Sequence, residues 1–165
     1  MGRDIMYSVI VVCLNAGQRL YETVDSILKQ SCPDFEVVVK DGGSSDGSVE
    51  RLEELCCDQR VRVQVRKDNG IYDAMNQAVK LAGGEYYLFL NAGDSFYDQH
   101  VLSKITDEIH RLERADKKPG IIYGNLYHKA LDTVIYASPE INDFTCYRNV
   151  PCHQTCFYHH AFFDA

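Results

Sequence analysis

A chain of 165 residues is long enough for one domain that buries roughly two thirds of its unfolded surface. Its 45% hydrophobic and 25% charged residues are the mix of an ordinary globular protein. A formal charge of -7 excludes broad nucleic-acid binding, which needs a basic face, and obliges any anionic ligand to find local relief.

Ser8 to Leu14 is a nearly unbroken Val/Ile run, the mark of a strand buried on both faces. Leu20, Val24, Ile27 and Leu28 then recur at helical spacing, and Pro33 closes that helix. Phe35 to Val39 predicts a second buried strand, followed by the loop Gly42-Gly43-Ser44-Ser45. Asp46 to Cys56 predicts a short helix with Ser44 or Ser45 as its N-cap. Arg62, Gln64 and Arg66 alternate with Val61, Val63 and Val65, which sets the third strand near a sheet edge. Ile71, Met75, Ala78 and Ala82 trace a helical stripe that ends at Gly83-Gly84. Tyr86 to Leu90 is the fourth strand. A helix from Asp98 to Ala115 then turns Val101, Leu102, Ile105, Ile109 and Leu112 inward.

This alternation predicts an α/β domain with a Rossmann-like, mostly parallel sheet and right-handed crossovers. Beyond it, Ile121 to Tyr123 and Thr133 to Tyr136 read as two strands around a turn, and no clean period survives after Ser138. The pattern reaches Ala165 without a closing helix and reads as cut short.

No run approaches the ~20 apolar residues of a membrane span, and Met1-Gly2-Arg3-Asp4 begins no signal-peptide apolar region. The expected location is therefore the cytoplasm, with contact at the inner face of a membrane left open. Seven cysteines then read as reduced thiols. Cys152, His153 and Cys156 raise a structural zinc, but no second pair stands at zinc spacing. Cys13 reads as a small core residue.

In an open parallel sheet, ligands sit outside the carboxyl ends of the strands. Asn15, Asp41, and Asn91 through Asp94 follow three of these strands, each beside glycine or another small residue. Each alone is a common turn former. Together on one sheet edge they point to a ligand. The loop Asp41-Gly42-Gly43-Ser44-Ser45-Asp46-Gly47 is not a dinucleotide fingerprint, and no phosphate loop ending in Gly-Lys-Ser/Thr occurs. A carboxylate at a strand end suits a base or ribose. Asp94 beside a diphosphate would repel it unless a divalent cation, Mn2+ or Mg2+, stood between them.

These residues carry a resemblance. "SVIVVCLNAGQRLYETVDSILKQSCPDFEVVVKDGGSSDGSVERL" resembles the start of family 2 glycosyltransferases, which have the GT-A fold. "DNGIYDAMNQAVKLAGGEYYLFLNAGDSF" and "HQTCFY" are similar to a bacterial polysaccharide-biosynthesis branch with N-x-G-D in the D-x-D region. The likeness runs from residue 7 to 160. It implies one glycosyltransferase domain, 1–165, with a nucleotide-sugar-binding half (7–116) and the start of an acceptor-binding half (117–165).

The resemblance also implies an inverting transfer from a nucleoside-diphosphate sugar, with UDP as the expected nucleotide, to a saccharide or lipid-linked acceptor. It assigns Asp41 to the base, Asn15, Asp68 and Asn91 to the nucleotide, and Asp94 to the metal. His153 and Gln154 fall on the acceptor side. Asn91 and Gly93 stand where the family carries the two D-x-D acids, which leaves Asp94 alone. The general base would fall past Ala165, and inside the chain only Asp143 and Asp164 are candidates, neither within a motif. Two other classes stay open: a sugar nucleotidyltransferase, whose basic glycine-rich first loop is missing here, and a non-catalytic nucleotide-sugar-binding fragment.

Overall fold

Four strands, β1 (Tyr7–Cys13), β2 (Phe35–Asp41), β3 (Val61–Val65) and β4 (Tyr86–Asn91), alternate with α1 (Gln18–Leu28), α2 (Ser48–Leu55) and α3 (Ile71–Val79). The computed structural model describes residues 5–139 and 151–164. After β4 come α4 (Val101–Glu113), β5 (Ile121–Tyr123), β6 (Leu126–His128), β7 (Thr133–Ile135) and β8 (Cys156–His159). The main sheet has six strands in the order β3-β2-β1-β4-β8-β5. Pairing among β1 to β4 is parallel, and β8 runs antiparallel to both β4 and β5.

Because side chains alternate across a strand, β1 serves two cores at once. Val9 and Val11 pack with Leu20, Val24 and Ile27 of α1, Leu52 of α2, and Leu102 and Ile109 of α4. Ile10 and Val12 pack on the other face with Val38, Phe89, and Ala74 and Ala78 of α3. Both faces are covered, which is why these strands read as continuous apolar runs. The sheet, its helices and the edge position of β3 match the expected α/β architecture.

Several boundaries differ from the sequence reading. β2 continues through Lys40 and Asp41, both fully buried. That is tolerable because the Lys40 ammonium donates to the carbonyls of Asp41 and Arg66 and to Asp68 Oδ2. α2 begins at Ser48, after Gly47 in the left-handed region at φ 77, and neither Ser44 nor Ser45 caps it. Asp46 Oδ1 accepts from the Ser48 N–H instead, while the Ser44 hydroxyl turns to Asp41.

The two strands expected around one turn do not pair with each other. β5 joins the main sheet beside β8, where Ile122 lies opposite Phe157 and both are buried. β7 pairs with β6 in a separate hairpin. Burying Ile122 against Phe157 outweighs the shorter connection. Among the described residues no helix is long and apolar enough to cross a membrane.

Candidate functional site

The carboxyl ends of β1, β2 and β4 carry the predicted residues to one edge of the sheet, since the register sets Cys13 beside Asp41 and Val12 beside Asn91. Each strand contributes a loop held by its own hydrogen bonds.

Asp41 organises the first of these. Its Oδ1 accepts from the N–H groups of Gly43 (2.8 Å) and Ser44 (2.7 Å). Its Oδ2 accepts from the Ser44 hydroxyl and, at 3.4 Å, from the Cys13 thiol. Burial alone would raise this carboxyl, but the donors from Ser44, Gly43 and Cys13 prevail and hold it below its ordinary value. Burial and the adjacent Asp41 charge push the Cys13 thiol up to about 12, so it stays protonated and can donate. Cys13 is half-buried and contacts the site, rather than being only a filler.

Asn15 closes the same loop from the β1 side. It sits in the left-handed region at φ 50, where Asn is tolerated better than most residues. Its N–H donates to the Ser44 hydroxyl (2.7 Å), and its Oδ1 accepts from the Ser45 N–H (2.9 Å). Gly17 N–H reaches Asp46 Oδ2 at 2.9 Å. The ends of β1 and β2 are thus laced together by Asn15, Ser44 and Asp46.

Asp68 joins them through a buried cation. Lys40 Nζ donates to Asp68 Oδ2 at 3.0 Å, and Gly70 N–H donates to Asp68 Oδ1 at 3.1 Å. A Cβ on Gly42 would come within 2.9 Å of Asp68 Oδ2, so Asp68 lies directly against the Asp41 loop. Lys40 was not among the expected site residues. Its signal was present: a lone lysine ending the apolar run Val37-Val38-Val39, immediately before Asp41.

The third loop is a tight turn after β4. Gly93 takes φ +114, and the Asp94 N–H donates to the Asn91 carbonyl at 2.9 Å. Thr23, buried on α1, clamps this turn: its hydroxyl accepts from the Gly93 N–H and donates to the Asp94 carbonyl, both at 2.8 Å. Asp94 Oδ2 accepts from the Asn91 N–H at 3.1 Å. Arg19, exposed on the first turn of α1, brings its Cδ within 3.6 Å of where a Gly93 Cβ would stand. Arg19 forms no ion pair among the described residues. Neither Thr23 nor Arg19 was anticipated, because only the packing of α1 on β4 shows that they meet Gly93.

His153 and Gln154 occupy the short turn that leads into β8 and packs against β4. Continuing the β4–β8 register past Leu88 and Phe157 brings Gln154 toward Asn91. Asn91 Oδ1 and His153 Nε2 are both buried without a partner among the described residues. Gln154 Oε1 accepts from the Cys152 thiol.

Asp164 is not brought to this edge. It pairs with His160 at 3.0 Å on the chain leaving β8, and the Tyr87 phenol is raised by burial and, less, by the charges of Asp164 and Glu36. Asp143 lies outside the described residues.

The fit of a divalent cation rests on oxygen donors. No group of three or more His, Cys, Asp or Glu able to hold an ion occurs among the described residues, so these side chains do not form a complete cage. Asp94 supplies one carboxylate, and Asn91, whose N–H donates to that carboxylate, carries a second hard oxygen in its Oδ1, buried without a partner among the described residues. That set suits Mg2+ or Mn2+ when the ligand's own phosphate oxygens complete the shell.

Comparison with known proteins identifies the family and the fold. Residues 8–163 match the model of Glycosyl transferase family 2. A PGL/p-HBAD biosynthesis glycosyltransferase from Mycobacterium bovis is 33% identical over 160 residues, covering 96% of this chain and 60% of that protein. The UDP-Glc:alpha-D-GlcNAc-diphosphoundecaprenol beta-1,3-glucosyltransferase WfaP of Escherichia coli is 28% identical over 152 residues, covering 89% and 58%.

Among solved structures, S. aureus TarS 1-349 in complex with UDP-GlcNAc aligns with a TM-score of 0.74 at 22% identity, covering 95% of this chain and 46% of that one. The mannosyltransferase PcManGT from Pyrobaculum calidifontis, in complex with GDP-Man and Mn2+, gives 0.62 at 27% identity, covering 72% and 34%. The chain spans about 60% of the length of these two curated relatives. The mostly parallel sheet flanked by helices is the GT-A fold of these neighbours, and the chain belongs to glycosyl transferase family 2.

Proposed function

We propose that this chain is the donor-binding part of an inverting glycosyltransferase that takes a UDP-sugar and serves polysaccharide or glycolipid biosynthesis. Residues 7–116 form the nucleotide-sugar-binding half, and 117–165 begin the acceptor-binding half. The observation that carries the reading is the meeting of Asn15, Asp41, Asp68 and Asp94 on one carboxyl edge, with Arg19 beside the Gly93 turn. The UDP and UDP-GlcNAc complexes of the TarS structures support the choice of nucleotide.

In this reading Asp41 and Asp68 face the nucleoside. The four acceptor positions of Asp41 are taken, three within its own loop and one by the Cys13 thiol of β1. A uracil N3–H would therefore displace the Cys13 thiol or the Ser44 hydroxyl, while the two backbone donors keep the carboxylate ionised. Asn15 holds the loop in register. The N-x-G-D turn takes the place of D-x-D, with Asp94 and Asn91 Oδ1 as the protein oxygens that hold Mn2+ or Mg2+. The cation, when bound, neutralises charge on the departing diphosphate. Arg19 adds a second positive charge near the same turn.

His153 and Gln154 border the acceptor side. The lipid-diphosphate acceptor in the name of the E. coli relative supports a lipid-linked or saccharide acceptor and, with it, a working place beside a membrane. We assign no general base: Asp164 lies off the edge and Asp143 lies outside the described residues.

Calorimetry with UDP in manganese and in chelator tests the reading. Tight binding that needs manganese is the expected result. Equal affinity in both buffers would remove Asp94 from the donor site.

A further inference from the structure

The edge strand β3 carries a polar row where a sheet covered by a helix is ordinarily apolar. Val61 and Val63 pack into the core on one face, while Gln64 and Arg66 face the side that carries α3. α3 sits over β1 and β2, packing Ala74, Met75 and Ala78 on Ile10, Val12 and Val38. The β3 row is left uncovered. The result is a groove of about 480 Å³ between β3 and α3, within the size range of small-ligand sites.

Two features of its lining are unexplained by the fold. Gln64 Oε1 and Gln77 Oε1 are buried acceptors with no donor among the described residues. The Gln77 amide nitrogen is already committed to the Lys67 carbonyl and Asp73, so only its oxygen is left over. Arg66, Lys67 and Lys80 also line the groove, and none has an ion-pair partner among the described residues. Asp73, the one acid of the lining, is occupied by the Asn69 N–H, the Asn69 side-chain amide and Gln77. Three unpaired cations on one groove are notable in a chain of charge -7.

Orphaned buried acceptors call for a ligand with N–H or O–H donors. Unpaired cations call for a negative one. A sugar bearing a carboxylate or phosphate offers both. We propose that the β3–α3 groove binds an anionic saccharide, whose hydroxyls donate to Gln64 and Gln77 and whose charged group meets Arg66, Lys67 and Lys80. The site lies along the sheet edge, away from the Gly93 turn, and does not depend on the donor reading. Asn69, at one end of the groove, is next in sequence to Asp68, so the test has to separate the two sites.

Nitrogen-15 spectra of the protein, titrated separately with glucose 6-phosphate, trigalacturonate, glucose and inorganic phosphate, provide that test. The two charged sugars should shift the side-chain amides of Gln64 and Gln77 at concentrations where glucose and phosphate do not. The ranking of the two charged sugars then tells a free sugar phosphate from an acidic glycan chain. Lys80→Ala should weaken charged-sugar binding about tenfold, as loss of a charge-assisted contact does. Gln64→Leu should abolish the preference for glucose 6-phosphate over phosphate. Lys80 is exposed, so Lys80→Glu gives a decisive variant even if Gln64→Leu fails to fold. Saturating UDP with Mn2+ should leave the binding intact. Equal affinity for phosphate and glucose 6-phosphate, no shift at Gln64 or Gln77, or complete displacement by UDP would each overturn the proposal.

Discussion

In the proposed site Asp94 meets its ligand through the carboxylate alone, so its binding role can be separated from most of its structural one. The turn around it is held mainly by main-chain bonds and by Thr23, which bonds the Asp94 carbonyl, while the side chain adds a single bond, accepting from the Asn91 N–H. Asp94→Ala should therefore leave the fold intact and remove the manganese-dependent part of UDP affinity, about 1–3 kcal/mol. Calorimetry of the variant in manganese and in chelator should give the same weak binding. Asp41 is the opposite case, since its carboxylate builds its own loop. Asp41→Asn keeps the shape but faces one backbone or side-chain donor with an NH2 group, so the loop and UDP affinity should suffer together while manganese dependence persists.

A second measurement on Asp41 uses acid. Its folded-state value lies below the ordinary 3.8, so its contribution to stability is present above that value. The contribution is lost as pH falls through the folded value. Denaturant melts from neutral pH into acid should show a shallower loss in Asp41→Asn than in the parent. An identical acid profile would mean that the loop bonds of Asp41 are not stabilising.

At the level of elements, the parallel strands were legible because burial on both faces writes a continuous Val/Ile run. Once they were read, the rule for strand ends led to Asn15, Asp41 and Asp94. β8 was not legible. Four residues are too few to show a period, and its pairing with β4 joins segments far apart in sequence. The β5–β8 pairing hid for the same reason. Lys40 shows the other blind spot, since burial of a cation depends on acceptors that three different segments supply.

The α3–β4 connection offers a sharp test at this scale. A Cβ on Gly84 would stand 2.5 Å from the Ser8 nitrogen and 2.7 Å from the Tyr7 carbonyl carbon. These are backbone atoms in the centre of the sheet and cannot give way. A Cβ on Gly83 would meet only Glu36 Oε1, at an ordinary 3.7 Å. Gly84→Ala should cost about 3 kcal/mol, at the upper end of overpacking, and Gly83→Ala far less. Comparable denaturation midpoints for the two variants would show that β1 and β4 do not approach as closely as the sheet requires.

For the molecule as a whole, the loops proposed to hold the donor hang on strands β1, β2 and β4, which form the middle of the sheet and share its cores. A ligand that bridges those loops binds the folded state and has no site in the unfolded chain. Its binding free energy must therefore appear as global stability, about 2.7 kcal/mol at a hundredfold excess over Kd. For a domain of this size each kcal/mol raises Tm by about 2–4 °C. UDP with Mn2+ should thus raise the melting temperature by about 5–10 °C, and UDP with chelator should raise it little. The same melt on Asp94→Ala should lose the manganese-dependent shift while lowering the ligand-free Tm by no more than the ~2–4 °C that loss of the single bond from the Asn91 N–H accounts for. A ligand-free Tm that fell well beyond that would show instead that Asp94 acts by holding the turn together, and would move the metal role to another oxygen.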